Sequence, residues 1–191
     1  MVNRIRPCVL FLLFLTGCSV VTRNAASGSF KDTIARNTKR ITIERDFTVV
    51  MSMDIIRLSR QVRQAYVDEY AGTYMLSKAA KQAMLEEQKA QAKQWDAFFL
   101  IVYTSPRTYS SLNSDDPLWK LYLESDGKTL SPSSLSRMES QRELMKGFFP
   151  EINSWDEVYL VKFPRQAGEV KGSARLRFIV TGILGKGDAD F

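Results

Sequence analysis

Residues 97–103 read AFFLIVY. The run has no polar face, and aromatic and β-branched side chains dominate it. It is far shorter than the roughly 20 residues a membrane-spanning helix needs. With polar sequence on both sides, it predicts a central β-strand buried on both faces.

Working outward, residues 40–53 alternate. Ile41, Ile43, Phe47, Val49, Met51 and Met53 fall on one face; Arg40, Thr42, Glu44, Asp46, Thr48 and Ser52 fall on the other. A period of two predicts a half-buried strand or hairpin. Arg45 interrupts the apolar face, which points to a bulge or turn at residues 44–46. From Asp54, a candidate N-cap, the period changes. Ile55, Leu58, Val62, Tyr66, Tyr70 and Tyr74 recur at helical spacing and mark one face. Residues 77–93 are rich in Ala, Lys, Gln and Glu, all strong helix formers. One helix over residues 54–94 would be roughly 60 Å long. Two helices with a break near residues 71–73, beside Gly72, are therefore expected, and a single projecting helix is the alternative.

Downstream, residues 104–117 form a polar loop near the length at which loops carry function. Residues 118–124 place Trp119, Leu121 and Leu123 on one face. Asp126-Gly127 is a turn signal. Residues 129–137 predict a short edge strand, and residues 138–146 a short helix ending at Gly147. Residues 157–163 and 174–184 alternate as strands, with residues 164–172 as the hairpin loop between them. The pattern predicts an α+β fold: an antiparallel β-sheet or small β-sandwich, with a long helical insertion (residues 54–94) packed on one side. Residues 39–191 form a single globular domain in this reading.

The N-terminus carries Arg4 and Arg6, followed by an apolar stretch over residues 7–15. That length fits a signal-peptide core of about 7–15 residues. Leu15-Thr16-Gly17-Cys18 follows, and this tetrapeptide resembles the lipobox of bacterial lipoproteins. The resemblance implies removal of residues 1–17, a diacylglycerol on the Cys18 sulfur and an acyl chain on its amine, which together give stable anchoring. Ser19 stands where an Asp commonly retains lipoproteins at the inner membrane of Gram-negative cells. The resemblance thus implies the outer membrane, with the domain on its periplasmic face. Residues 18–38, rich in Ser, Asn, Thr, Ala and Gly, read as a flexible tether.

Composition excludes several chemistries. The 191 residues are 45% apolar and 25% charged, as in globular domains. Net charge is +6; loss of Arg4 and Arg6 leaves 25 basic against 21 acidic residues, a net +4. That bias suits an anionic membrane surface or envelope polyanion and is too weak to argue for nucleic acid. Histidine is absent, and Cys8 and Cys18 are the only cysteines. Ser-His-Asp and Cys-His catalysis, His-ligated metals and, after processing, structural disulfides are excluded. Any general base must be Asp, Glu, Lys or Tyr.

No motif supplies an active site. The run from Gly182 to Gly187 includes Lys186, but its spacing is wrong for a phosphate-binding P-loop and no room remains for the helix. Asp115-Asp116 with Asn113, and Asp188 with Asp190, match no calcium-loop spacing and read as solvated turns. Tyr66, Tyr70 and Tyr74 read as core packing with hydroxyls at the rim. The expectation is a lipid-anchored periplasmic binding or assembly module that contacts another envelope protein, without catalysis, cofactor or metal. Arg107 and Tyr109 in the long loop, and Lys78 and Lys81 on the helical insertion, are the candidate partner-binding residues. Two alternatives stand beside it. One is a glycan hydrolase drawing paired carboxylates from Glu86, Glu87, Asp115, Asp116, Glu151 and Asp156. The other is a carrier of a small ligand or lipid. Metabolic labelling with a fatty acid should mark the wild-type chain and not Cys18→Ala; an unlabelled wild type refutes the anchor.

Overall fold

The computed structural model describes residues 26–109, 112, 118–165 and 175–191. It is an α+β fold with two antiparallel sheets. Strands β1 (Thr38–Arg45), β2 (Thr48–Arg57), β3 (Trp95–Thr104), β6 (Ser134–Arg137) and β7 (Glu157–Pro164) form one sheet, in the order β1-β2-β3-β7-β6. Strands β4 (Trp119–Ser125), β5 (Lys128–Leu130), β8 (Leu176–Gly182) and β9 (Gly185–Asp190) form the other, in the order β5-β4-β8-β9. Helices α1 (Ala26–Arg36), α2 (Arg60–Thr73), α3 (Lys78–Gln94) and α4 (Arg142–Phe148) complete the fold.

The strand AFFLIVY is the centre of the larger sheet, and residues 96–102 are all buried. Alternation then divides its neighbours between two cores. On one face, Met53, Ile55, Phe98, Leu100, Tyr159 and Val161 meet Trp119, Leu121, Leu123, Phe178 and Val180 of the second sheet. Phe98, Phe163, Phe178 and the terminal Phe191 pack edge to face across that space, with ring centroids 5.2–6.0 Å apart. On the other face, Ile56, Phe99, Ile101 and Val158 are covered by Phe30 and Ile34 of α1, Val62 of α2, and Met145, Phe148 and Phe149 of the α4 segment. The order is therefore sheet, sheet, helices.

The hairpin expected in residues 40–53 is present. A bulge lies between Ile43 and Glu44, and Asp46 and Phe47 turn the chain with φ of 50° and 61°. Positive φ at both turn positions is the geometry of a tight two-residue hairpin.

Five expectations need correction. The tether of residues 18–38 gives way to α1 from Ala26 onward; residues 18–25 lie outside the described residues. Phe30 and Ile34, spaced four apart, share one helical face and are buried at 4% and 7% exposure. Asp54 is no N-cap. It lies in β2, opposite Arg40, whose guanidinium donates to it at 2.5 and 2.6 Å. The caps are Ser59 and Ser77, whose hydroxyls accept from Val62 and Ala80 N–H groups. The helical insertion therefore starts after Arg57, because Ile55 and Ile56 remain paired with β3.

The helix break falls beyond Gly72. Helix α2 ends at Thr73, Met75 takes a φ of 52°, and Leu76 N–H bonds back to Ala71 O at 2.9 Å. The edge strand of residues 129–137 is two strands in different sheets, β5 against β4 and β6 against β7, with Pro132 between them. The hairpin loop expected over residues 164–172 lies, from residue 166 onward, outside the described residues, and the strands it was to join do not pair. β7 belongs to the first sheet, and β8 pairs with β4 and β9 of the second.

The glycines from Gly182 to Gly187 form a true hairpin. Gly182 pairs with Gly185, and β9 lies against β1 because its glycines leave room for Ile41 and Ile43. A Cβ on Gly187 would overlap Ile41 Cγ2, whereas one on Gly72 meets nothing within 4 Å. Urea unfolding should show Gly187→Ala destabilised by about 1–3 kcal/mol. The same measurement should show Gly72→Ala stabilised by about 0.5–1 kcal/mol.

Candidate functional site

Polar side chains converge where α2 and α3 meet the start of β3. The N-terminal turns of α2 carry Arg60, Arg63 and Gln64, three and four residues apart, so they share one side of the helix. Helix α3 contributes Gln88, Lys89 and Lys93, and Arg165 follows the end of β7. These side chains line a cleft of about 400 Å³.

Arg63 is the buried member, at 5% exposure. Its Nε donates to Leu58 O at 2.9 Å and its Nη1 to Gln88 Oε1 at 2.7 Å. Both acceptors are neutral. Asp96 is the nearby buried carboxylate. Arg165 grips it with Nε at 3.2 Å and Nη2 at 2.6 Å, and also donates from Nη1 to Ala92 O at 2.6 Å. Burial pulls the Arg63 pKa below its usual value, and Arg165 pushes the same way, with Asp96 opposing. Burial also lowers the pKa of neighbouring Arg57, opposed by Asp96, with repulsion from Arg165 the smaller effect.

Charge in this cleft is not balanced. Five cations line it: Arg60, Arg63, Lys89, Lys93 and Arg165. Two carboxylates are bonded to them, Asp96 to Arg165 and Glu86 to Lys89 at 2.9 Å. A surplus of three positive charges remains. Of these three, Arg60 and Lys93 are exposed and only Arg63 is desolvated; a buried cation held by neutral acceptors raises the energy of a site until an anion shares it.

A second cleft of about 400 Å³ adjoins the first. It runs between the α2–α3 pair and the α4 segment over the outer face of the large sheet, and is also lined by Arg63 and Gln88. Its apolar surface comes from Leu58, Val62, Tyr66, Phe99, Met145 and Phe149; Glu87, Gln91 and Lys162 are further polar lining residues. The Arg63–Gln88 bond therefore stands at the boundary of a basic and an apolar hollow. No family model matches the chain, and no curated protein or solved structure matches it. The site is read from its own chemistry.

The residues expected at a partner surface divide into two places. Lys78 is exposed at the start of α3, and Lys81 pairs with Asp68 of α2 at 2.7 Å. Arg107 is exposed in a short 3-10 turn after β3. Tyr109, in the same turn, is half-buried, and its carbonyl accepts from Trp119 Nε1 at 3.0 Å. Cys18, Asn113, Asp115 and Asp116 lie outside the described residues. Glu86 and Glu87 sit on α3, and Asp156 is buried, accepting from Asn153 N–H at 2.9 Å. Glu151 shares a cleft of about 410 Å³ with Asp54, beside α1. The Arg40 guanidinium occupies both carboxylate oxygens of Asp54 there. Among the described residues no group of three or more acidic or cysteine side chains is arranged to hold a metal ion.

One other buried polar group belongs to the framework. Tyr159 O–H donates to Glu157 at 2.5 Å, and Arg137 reaches Glu157 at 3.1 Å. Burial, then the bond to Glu157, raises the tyrosine pKa.

Sequence reasoning missed this cluster: the three-residue spacing of Arg60 and Arg63 on α2 is the one local signal it offered, and the contribution of Arg165 had none. Asp96→Asn should lower stability by about 2–3 kcal/mol in urea unfolding, because it removes the carboxylate from buried arginines. Glu86→Gln, on the exposed surface of α3, should leave the unfolding midpoint unchanged.

Proposed function

We propose that this chain is a lipid-anchored envelope protein that binds without catalysis. In this reading Cys18 carries the anchor at the outer membrane, the domain faces the periplasm, and the α2–α3 pair contacts another envelope protein. The observation that carries the reading is helix α3. It is 17 residues long and buries none of them. A helix of this length is marginal alone in water, yet this one is fixed along its length. Lys81–Asp68, Arg63–Gln88 and the Arg165–Ala92 bond pin it to α2 and to the end of β7. Its free side presents Ala79, Ala80, Ala83 and Ala90, all exposed. Small side chains allow close approach of a partner at little loss of side-chain entropy.

Binding is preferred over carboxylate-pair hydrolysis because the described candidate acids are scattered: Glu86 and Glu87 lie on α3, Glu151 beside α1 and Asp156 in the turn before β7, whereas such hydrolysis needs two carboxylates facing each other across one cleft. Absence of a transmembrane span is compatible with an anchored domain: among the described residues no helix is long and apolar enough to cross a membrane.

Substitution of Ala79, Ala83 and Ala90 by Glu keeps strong helix formers on α3 while blocking close approach. Affinity capture from membranes should then lose specific partners that the wild-type chain retains. Identical partner lists would remove α3 as the contact surface.

A further inference from the structure

The two adjoining hollows differ in chemistry and share a boundary. One is lined by five cations with a surplus of three positive charges, and the other sets apolar side chains beside Glu87, Gln91 and Lys162, with Arg63 and Gln88 lining both. An isolated oxyanion would satisfy only the first. A hydrocarbon would satisfy only the second. We propose that they form one site for an anionic amphiphile, a lipid whose phosphate head sits among Arg60, Arg63, Lys93 and Arg165 while its hydrocarbon lies in the groove.

Guanidinium groups suit this head. Arginine offers a planar fork that matches phosphate oxygens two at a time, and it remains charged when partly desolvated. Arg63 is already desolvated, with neutral acceptors on two of its nitrogens. The head would supply the countercharge that Asp96, gripped by Arg165, supplies only in part. A phosphate monoester carries more charge than a carboxylate and fits the surplus better. Arg60 and Lys93, exposed at the rim, are placed to meet the ligand first. The chain would lie over Leu58, Tyr66 and Met138, the half-buried apolar side chains that line the groove.

This inference rests on reading the chain as a binding module at the envelope, but its test uses no partner protein. The full chain, purified in non-ionic detergent, is examined by native mass spectrometry with added phosphatidic acid, phosphatidylcholine or glycerol 3-phosphate. One phosphatidic acid should be retained per chain, at least about tenfold in preference to phosphatidylcholine. Glycerol 3-phosphate, which lacks the hydrocarbon, should bind far more weakly. The double substitution Arg60→Gln with Lys93→Gln, confined to exposed side chains, should lower retention by about tenfold. Met138→Asp should lower retention without altering the basic cleft. The inference fails if no lipid is retained, if both lipids are retained equally, or if neither variant changes retention. Equal binding of glycerol 3-phosphate and phosphatidic acid overturns it as well, since the apolar groove then contributes nothing. Loss of envelope partners in the α3 substitutions bears on the other proposal alone.

Discussion

Strand β3 is apolar on both faces, so neither face can be left to water. Each fully buried Phe or Leu on it contributes about 1.5–3 kcal/mol through transfer from water, but only if a layer covers it. Phe98, Leu100 and Val102 require one layer, and Phe99 and Ile101 require another. The second sheet meets the first demand and the helices meet the second. The rest of the chain can be read as the supply of these two covers. Leu130 and Leu135 belong to different sheets and still pack on one core. Phe191 closes the same core from the last position in the chain.

The polar features follow from where β3 begins. Asp96 is carried into a buried position by the strand that contains it, and a buried carboxylate needs partners. Arg165 arrives from β7, the neighbouring strand, and binds both its oxygens. Arg63 is brought to the same place by α2, which must lie on the sheet to cover Phe99. The concentration of arginine at this corner is thus a consequence of covering an apolar sheet with a helix whose first turns carry Arg60 and Arg63. It also leaves a charge surplus beside a hollow with apolar side chains, the combination on which the proposed amphiphile site rests. Exposed α3 stands next to it, held by the same arginines.

Sequence patterns were legible where a local period had one physical cause. Alternation in residues 40–53 reported strands facing a core on one side, and the interruption at Arg45 reported the turn, but Phe47, expected on the apolar face, is a fully exposed turn residue. The Tyr66, Tyr70 and Tyr74 ladder reported a helix face, and those rings do pack on one another and on Phe148. Periods misled where two causes overlapped. Ile55 and Leu58 fit a helical spacing by coincidence, and the strand continues to Arg57 because its backbone is paired with β3. Helix α1 was hidden because only Phe30 and Ile34 mark it, among residues otherwise suited to a tether. Of the candidate site nothing was read from the sequence, although Arg60 and Arg63 stand three apart on α2. Their relation to Asp96 and Arg165 was not legible there.

By itself the sequence determined that a doubly buried strand lies at residues 97–103, that strands and a helical pair surround it, and that no histidine chemistry operates here. It did so because burial on one or two faces leaves a period in the residues themselves. Only the tertiary structure decided that residues 128–137 and 157–182 divide between two sheets. It alone joined Arg165 to Asp96, 69 positions apart, and set a basic hollow against an apolar one. Such partners are chosen by the packing of layers, and packing depends on residues far apart in the chain that carry no mark of one another.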